Sequence, residues 1–212
     1  MRLFFGLRVS TATANQLAQT AEQLRRNAGP AFKWVAPTSY HVTLKYLGFT
    51  RPEIVDELVD RVRTAIAGIE KFSFKTAKLG AFPSVDKATV LWAGVDDANV
   101  TALADKIEGA CEGVGFPREP RPFKGHVTLA RIAETRSISQ LVLPMSEQMF
   151  SGSTVDTVIL YESETKSSGS VYKEISRIAL KTSDSAPISP EKRQTEPLDL
   201  GDETDDGWPR GR

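Results

Sequence analysis

Histidine occurs only twice in the 212-residue chain, and both copies open the same tetrapeptide. The two motifs are His41-Val42-Thr43-Leu44 and His126-Val127-Thr128-Leu129. Alternating Val and Leu predict a β-strand with one apolar face, so each histidine shares the other face with a threonine, roughly 7 Å away. If the two strands lie side by side, two imidazoles and two hydroxyls converge. This set suits a phosphate group, because one imidazole can accept a proton, the other can donate one, and the hydroxyls can bond non-bridging oxygens.

Two simpler explanations compete with this chemistry. A single His-x-Thr on a strand is ordinarily just a polar outward face, but its repetition without any other histidine in the chain argues against that for the pair. A zinc site is the second alternative. Two histidines are too few ligands, and the single cysteine, Cys111, falls on a predicted helix with no Cys or His at ligand spacing. We therefore expect no metal and no other cofactor, and we expect Cys111 to be a small core residue.

The elements that must position the motifs follow from hydrophobic periodicity and from capping residues. Strands are predicted over about 2–9, 40–47, 72–79, 89–95, 125–132, 154–162 and 171–180. Helices are predicted over about 10–28, 52–68, 99–112 and 137–143. The order strand, helix, strand occurs once before and once after about residue 85, and each half carries one histidine motif. This element order is typical of a two-lobed duplication.

Several further segments accompany the two motifs. They are 2–7, 80–83, 90–95, 121–131 and 160–163, together with Trp34, Gly169 and Tyr172. With these residues the chain resembles the two-histidine (2H) phosphoesterase superfamily, and within it the RNA 2′,3′-cyclic phosphodiesterases, formerly called 2′-5′ RNA ligases. The resemblance covers roughly residues 1–181, and the second histidine motif is its most specific part. Gly125 departs from the family pattern, which often has proline before the second histidine.

The resemblance implies both a fold and an activity. The implied fold is α+β, a two-lobed duplication of antiparallel sheets with helices on the outer faces and a central cleft that carries the two His-x-Thr strands. The implied reaction is hydrolysis of a terminal 2′,3′-cyclic phosphate, with reversible 2′-5′ RNA ligation as a further capacity. In the family pattern His41 protonates the leaving 3′-oxygen and His126 activates water, which leaves a 2′-phosphate. The residues alone leave the two roles interchangeable.

Other residues near the motifs are candidates for substrate binding. We assign Thr43 and Thr128 to phosphate oxygens. Lys45 shares the parity of His41 and could add positive charge there, although a solvated surface lysine explains it equally well. Arg131 lies on the face opposite to its histidine if the strand stays regular, so it reaches the site only if the strand bends or ends. The resemblance implies that Arg131 contacts a substrate phosphate or ribose.

Aromatic residues in the same segments are candidates for stacking a nucleobase. Phe123, which leads into the second motif, is the preferred one. Tyr46 and Trp34 are further candidates, but we expect both to lie in the core. Trp92 sits among apolar neighbours and is expected to be a core residue as well.

Charge is unevenly distributed along the neutral chain. Residues 182–212 carry eight acidic and four basic side chains, which leaves 23 bases and 19 acids in residues 1–181. We interpret 1–181 as the phosphoesterase domain and 182–212 as a disordered acidic tail. The mild positive excess of the domain suits an enzyme that acts on RNA ends or small cyclic nucleotides better than a protein that tracks long nucleic acids.

Composition also bears on location and on other functions. One cysteine, no signal peptide and no apolar run of about 20 residues predict a cytoplasmic protein without a membrane partner. Nothing implies an obligate protein partner, so we expect a monomer. Two alternatives to the RNA 2′,3′-cyclic phosphodiesterase stay open. One is a phosphodiesterase of another cyclic phosphate or of 2′-5′-linked oligonucleotides, and the other is a non-catalytic module that binds RNA ends.

Overall fold

The structure is a computed structural model that describes residues 1–166 and 169–182. Its strands are β1 (Arg2–Arg8), β2 (Phe32–Trp34), β3 (His41–Phe49), β4 (Phe72–Phe82), β5 (Ala88–Gly94), β6 (His126–Arg136), β7 (Met149–Val155), β8 (Thr157–Lys166) and β9 (Gly169–Ala179). Its α-helices are α1 (Thr11–Ala28), α2 (Val55–Ile66), α3 (Ala98–Glu112) and α4 (Ser139–Val142). The sequence predicts most of these elements, but it misses β2, and its strand at about 154–162 overlaps β8 and only the last two residues of β7.

The two longest helices begin where side-chain caps satisfy free backbone N–H groups. The Ser10 hydroxyl accepts a hydrogen bond of 3.1 Å from the Thr13 backbone N–H at the start of α1. The Asp97 carboxylate accepts two backbone hydrogen bonds at the start of α3. Helix α1 ends at Gly29, whose φ of 73° is readily adopted only without a side chain. Both helices therefore start and end near the predicted residues.

Over the described residues the strands form one antiparallel sheet in the order β7-β4-β5-β6-β3-β1-β8-β9, and β2 pairs with β6 beside this path. The two histidine strands, β3 and β6, are neighbours at its centre. On one side lies the first lobe, which contains β3, β1, β8 and β9. On the other side lies the second lobe, which contains β6, β5, β4 and β7. This architecture confirms the predicted α+β fold with antiparallel sheets.

The helices cover the sheet face that is turned away from the histidines. The main hydrophobic core combines sheet residues such as Leu3 and Leu129 with helix residues such as Leu17, Leu58 and Leu103. Cys111 of α3 is fully buried within this core, and burial raises the pKa of its thiol to about 12. A smaller apolar cluster lies apart from the main core and contains Phe4, Ile159 and Tyr161.

Strand β3 is irregular at the last residue of its histidine motif. Phe5 of β1 pairs with Lys45, and the next residue, Gly6, pairs with Thr43, so Leu44 is an extra residue in the ladder. Such a bulge interrupts the alternation of side chains between the two faces. As a result both Leu44 and Lys45 are buried, and Tyr46 becomes exposed.

Strand β6 carries the equivalent irregularity. Leu91 of β5 pairs with Ala130, and the next residue, Trp92, pairs with Thr128, which makes Leu129 the extra residue. Leu129 and Ala130 are both buried, and Arg131 becomes exposed. The bend that Arg131 needs to reach the histidine face is therefore present.

Part of the sequence prediction falls on residues outside the described ranges. The predicted acidic tail, 182–212, is among them except for Thr182, so its predicted disorder stays a prediction. The two residues that connect β8 to β9 also lie outside the described ranges. Among the helices of the described ranges, none has the length and apolar character needed to span a membrane.

Candidate active site

The two histidine strands meet at one backbone pair, in which Val42 lies opposite Val127 in antiparallel orientation. Continued by one residue in each direction, this register sets His41 opposite Thr128 and Thr43 opposite His126. The histidines then lie diagonally across the pair, with their Cβ atoms about 7–8 Å apart. The structure thus brings together the four side chains that the two motifs single out.

Each imidazole is oriented by a backbone carbonyl two residues earlier in the chain. Nδ1 of His41 lies 2.7 Å from the Ser39 carbonyl oxygen, and Nδ1 of His126 lies 2.8 Å from the Lys124 carbonyl oxygen. A carbonyl oxygen can only accept a hydrogen bond, so Nδ1 of the neutral ring carries the hydrogen. Nε2 is then the nitrogen that is available to take or give a proton in each histidine.

Aromatic rings of the first lobe surround His41. Its ring centroid lies 4.8 Å from that of Phe4 and 4.8 Å from that of Tyr172, which meets it edge-on. Tyr161 follows at 6.0 Å. These residues come from β1, β9 and β8. Strand β1 and the consecutive strands β8 and β9, which lie near opposite ends of the domain's sequence, therefore hold this imidazole in place.

His126 has a comparable setting in the second lobe. Its ring centroid lies 4.9 Å from that of Phe82, edge-on, and 6.4 Å from that of Trp92. The Lys124 ammonium lies 4.7 Å from the Trp92 ring centroid, within cation–π range. The Trp92 ring packs directly on Gly80, where a Cβ atom would come within 2.3 Å of the indole. A glycine at position 80 therefore permits the position of this ring.

Both imidazoles have a reduced affinity for protons. Burial lowers the pKa of His41 to about 4, and the positive charges of His126 and Arg131 act in the same direction. Burial also lowers the pKa of His126, helped by the charges of Arg131 and Lys124. The carbonyls that accept the Nδ1–H bonds act in the opposite direction in both cases. Both rings are therefore neutral at neutral pH until an anion, such as a phosphate, favours their charged forms.

The remaining polar groups at the site are available for a ligand. Within the described ranges, no protein group forms a hydrogen bond with the hydroxyl of Thr43 or Thr128. Arg131 is exposed and forms no ion pair with any described residue, yet its charge acts on both histidines. Two hydroxyl donors and one guanidinium suit the non-bridging oxygens of a phosphate.

Lys45 does not lie at the site. Its ammonium donates hydrogen bonds to the Glu108 carboxylate at 2.6 Å and to the Pro117 carbonyl oxygen at 2.7 Å, and its side chain is 5 % exposed. The prediction that Lys45 adds charge beside His41 is wrong, because the bulge at Leu44 turns its side chain toward α3.

The positions of the aromatic residues also differ in part from those expected. Phe123 is half-buried and packs against the main core, and its role in base stacking stays a prediction. Trp34 is half-buried and stacks on Phe32. Tyr46, which was expected in the core, is 53 % exposed. Trp92 is buried as expected, but it lies beside His126.

Sequence reasoning assigned no site role to the rings around the histidines. These residues are Phe4, Phe82, Trp92, Tyr161 and Tyr172. All of them fall in, or next to, the segments that carry the family resemblance, which is the signal that could have marked them. Which rings touch which histidine depends on strand pairing, and residue spacing alone does not contain that information. The carbonyls of Ser39 and Lys124 could not have been found from the sequence, because every residue type has a backbone carbonyl.

Among the described residues, no cluster of three or more His, Cys, Asp or Glu side chains is arranged to hold a metal ion. The groups that are present can transfer protons and bind an anion. Two imidazoles on neighbouring strands, with two hydroxyls and a guanidinium beside them, suit acid–base chemistry at a phosphate.

Fold and site together define a two-histidine phosphoesterase. The model of the LigT like phosphoesterase family matches residues 7–92 and 94–172 of the chain. The chain therefore belongs to this family, and it is a hydrolase of phosphoric esters.

Named relatives agree with this assignment. A protein of Aeropyrum pernix is 31% identical over 152 residues, which cover 69% of this chain and 85% of the relative. A protein of Archaeoglobus fulgidus is 26% identical over 179 residues, which cover 82% of this chain and 98% of the relative. Both relatives are named RNA 2′,3′-cyclic phosphodiesterase.

Solved structures share the fold. The crystal structure of TT0787 of Thermus thermophilus superposes with a TM-score of 0.75 at 23% identity, covering 86% of this chain and all of that one. LigT of E. coli, crystallised with 3′-AMP, superposes with a TM-score of 0.67 at 22% identity, covering 84% of this chain and 97% of that one.

Proposed function

We propose that the protein hydrolyses terminal 2′,3′-cyclic phosphates of RNA to 2′-phosphates, with His41 and His126 as the acid–base pair. The observation that carries this proposal is the antiparallel register at Val42 and Val127, which sets two carbonyl-oriented histidines and two threonines around one small volume. The names of the relatives support the substrate class.

The proposed step is a displacement at phosphorus. Nε2 of His126 takes a proton from water as the water oxygen bonds to phosphorus. The bond between phosphorus and the 3′-oxygen breaks, and Nε2–H of His41 protonates that oxygen. The product carries a 2′-phosphate and a 3′-hydroxyl, and both histidines return to their starting states through exchange with solvent. This division of roles follows the family resemblance, since the geometry itself is nearly symmetric.

The negative charge of the substrate favours the protonated form of His41, which the step needs. A cyclic phosphodiester carries one negative charge, which favours the imidazolium form of His41 against the effect of burial. Arg131 and the hydroxyls of Thr43 and Thr128 bind the non-bridging oxygens. They stabilise the negative charge as it grows in the transition state. Ligation is the same displacement with the 5′-hydroxyl of a second RNA in place of water: the bond between phosphorus and the 3′-oxygen breaks and a 2′-5′ link forms.

Product analysis of a substrate panel tests the proposal. The panel contains a 2′,3′-cyclic mononucleotide, a short RNA with a cyclic phosphate end, a 2′-5′-linked dinucleotide and ADP-ribose 1″,2″-cyclic phosphate, each assayed with EDTA present. We expect efficient opening of the first two substrates to 2′-phosphates. Binding without turnover would indicate an RNA-end-binding module. Preferred turnover of either of the last two substrates would indicate another phosphodiesterase.

A further inference from the structure

An exposed cationic and aromatic patch continues the histidine face beyond the catalytic groups. We name Arg2, Tyr46 and Phe49 the β3 platform. Tyr46 is 53 % exposed and Phe49 is 84 % exposed, although both side chains are large and apolar. Arg2 donates hydrogen bonds of 3.3 and 3.1 Å to the Tyr46 hydroxyl oxygen, and its guanidinium lies 5.6 Å from the Phe49 ring centroid. Arginine thus holds two flat rings together on the surface.

Strand register places the β3 platform on the same face as the reacting groups. Arg2 pairs with Phe49, and its neighbour Leu3 is fully buried in the main core, so Arg2 points to the opposite, histidine side. The bulge at Leu44 turns Tyr46 to that side as well. Tyr46 follows Thr43 by three residues, which is about 10 Å along β3. The platform therefore begins about one nucleotide length from the phosphate site.

The chemistry of the β3 platform fits a nucleobase. Flat exposed rings beside a guanidinium offer stacking to any base, because every base presents a π face. A positive charge beside them also suits the anionic backbone of RNA. At the equivalent place on β6 the chain has Arg131 and no aromatic side chain, so the two ends of the site differ in chemistry. This difference favours one direction for a single-stranded RNA end across the site.

We infer that the β3 platform binds the base of the nucleotide next to the cyclic-phosphate terminus of an RNA substrate. This inference rests on the proposed function and adds a specificity site to it. Its consequence is a preference for RNA ends over free cyclic mononucleotides, without a preference for one base, because stacking tolerates all four.

Three substrates and four variants separate this inference from the proposed function. The substrates are a 2′,3′-cyclic mononucleotide, a dinucleotide with the same end, and that dinucleotide with its first base removed. The variants are Tyr46→Ala, Phe49→Ala, Tyr46→Phe and, as a matched control, Leu143→Ala, whose side chain is 60 % exposed in the turn that follows α4.

We expect kcat/KM for the intact dinucleotide to fall about tenfold in Tyr46→Ala and less in Phe49→Ala. Values for the abasic dinucleotide and the mononucleotide should stay unchanged. Leu143→Ala should match the wild type, and Tyr46→Phe, which keeps the flat ring but loses the hydrogen bonds from Arg2, should fall less than Tyr46→Ala. If Tyr46→Ala lowers all three values equally, the residue supports the fold and the inference fails. If the wild type opens the mononucleotide as well as the dinucleotide, the inference fails while the proposed function stands.

A binding measurement keeps the inference testable even if no substrate is turned over. The probe is a dinucleotide that ends in a 2′-phosphate and carries 2-aminopurine as its first base. Stacking on Tyr46 should quench the 2-aminopurine fluorescence in the wild type, and Tyr46→Ala should abolish the quenching at saturating protein. Saturable binding without quenching in the wild type would overturn the inference.

Discussion

Tyr46 and Arg131 hold the same place on the two histidine strands. Each lies five residues after its histidine, and a bulge at the fourth position of the motif turns each onto the histidine face. The motifs are otherwise matched in burial, with half-buried His and Thr and buried Val and Leu. The local two-fold symmetry is therefore broken by one aromatic and one cationic side chain, and these give the two ends of the site different chemistry.

Replacing either histidine should abolish most of the activity. His41→Ala and His126→Ala should each reduce turnover by a factor on the order of 10² to 10⁴, because each removes one proton transfer. Melting temperatures should stay close to that of the wild type. A variant that keeps near-normal turnover would contradict the pairing.

The two roles can be separated with an altered leaving group. In a cyclic substrate with sulfur in place of the 3′-oxygen, the leaving atom needs no proton. Activity of His41→Ala should then recover, while that of His126→Ala should not. Recovery of His126→Ala instead would reverse the assignment of acid and base.

Proton NMR of the imidazole rings should show two resolved titrations, because the chain has only two histidines. We expect the pKa of both rings in the free protein to lie below the ordinary value, with His41 near 4. A bound nucleoside 2′-phosphate should raise both values, since its negative charge favours the imidazolium forms. A free-protein pKa at or above the ordinary value for either ring would contradict the burial described for it.

Stability should depend on pH through the same groups. The unfolded chain binds protons on His41 below its ordinary pKa of about 6.5, whereas the folded protein does so only near 4. The folded state is therefore favoured above pH 6.5, and this contribution is lost as the pH falls from about 6.5 to 4. His41→Gln should show a smaller loss of melting temperature over that interval than the wild type.

Lys45→Met should affect stability and leave catalysis intact. The substitution leaves the Glu108 carboxylate partly buried without its cation, which costs up to about 3–5 kcal/mol. Arg61→Ala is the control, since Arg61 and Glu57 form an exposed pair whose removal costs about 0–1 kcal/mol. Thermal unfolding and kcat/KM should be measured for both variants. A Lys45→Met protein with normal melting temperature and reduced turnover would indicate that Lys45 acts in the reaction after all.

Gly80→Ala on β4 should disturb His126 on β6 through Trp92, which lies on β5 between them. The new methyl group would occupy the place of the Trp92 indole, so the ring must move, at a cost of about 1–3 kcal/mol. We expect lower turnover together with a changed tryptophan fluorescence. Gly68→Ala is the matched control, because its added methyl meets no atom within 4 Å. Equal behaviour of the two variants would show that the position of Trp92 does not matter for the reaction.

Removal of residues 183–212 should leave both stability and activity nearly unchanged. The family match ends at residue 172, and Leu180 is the last buried side chain of the described residues. Melting temperature and turnover of a cyclic mononucleotide should be compared between the full chain and a chain that ends at Thr182. A large loss of either would show that the removed residues contribute to the domain.

The geometry within each histidine motif can be predicted from the sequence because it is local. Alternation along a strand sets His41 beside Thr43, and His126 beside Thr128, without knowledge of the rest of the chain. The bulges are different, since each depends on which residues of β1 or β5 pair with the motif. Regular alternation therefore misplaces Lys45, and it allows Arg131 at the site only on the condition of a bend, which the structure contains.

The surroundings of the histidines are harder to predict than the histidines. Phe4 and Tyr172 reach the same ring from strands at the two ends of the domain, so their proximity follows from the sheet order alone. Tyr46 was expected in the core, and regular alternation along β3 would place it on the face opposite His41. Its exposure follows from the bulge, which a periodic reading of β3 does not reveal.

The path of the chain between the two lobes has a consequence for how the protein unfolds. After β3, which belongs to the first lobe, the next long strand is β4 of the second lobe, and β8 and β9 return to the first after β6 and β7. The strands of the second lobe are consecutive in the chain, but β2 pairs with β6 and the start of α1 is hydrogen-bonded to β7. Each lobe therefore combines separate pieces of the polypeptide, and we expect the two lobes to unfold together. The arrangement of the two imidazoles should then persist until the whole domain unfolds, and it should be lost in the same cooperative transition as the sheet.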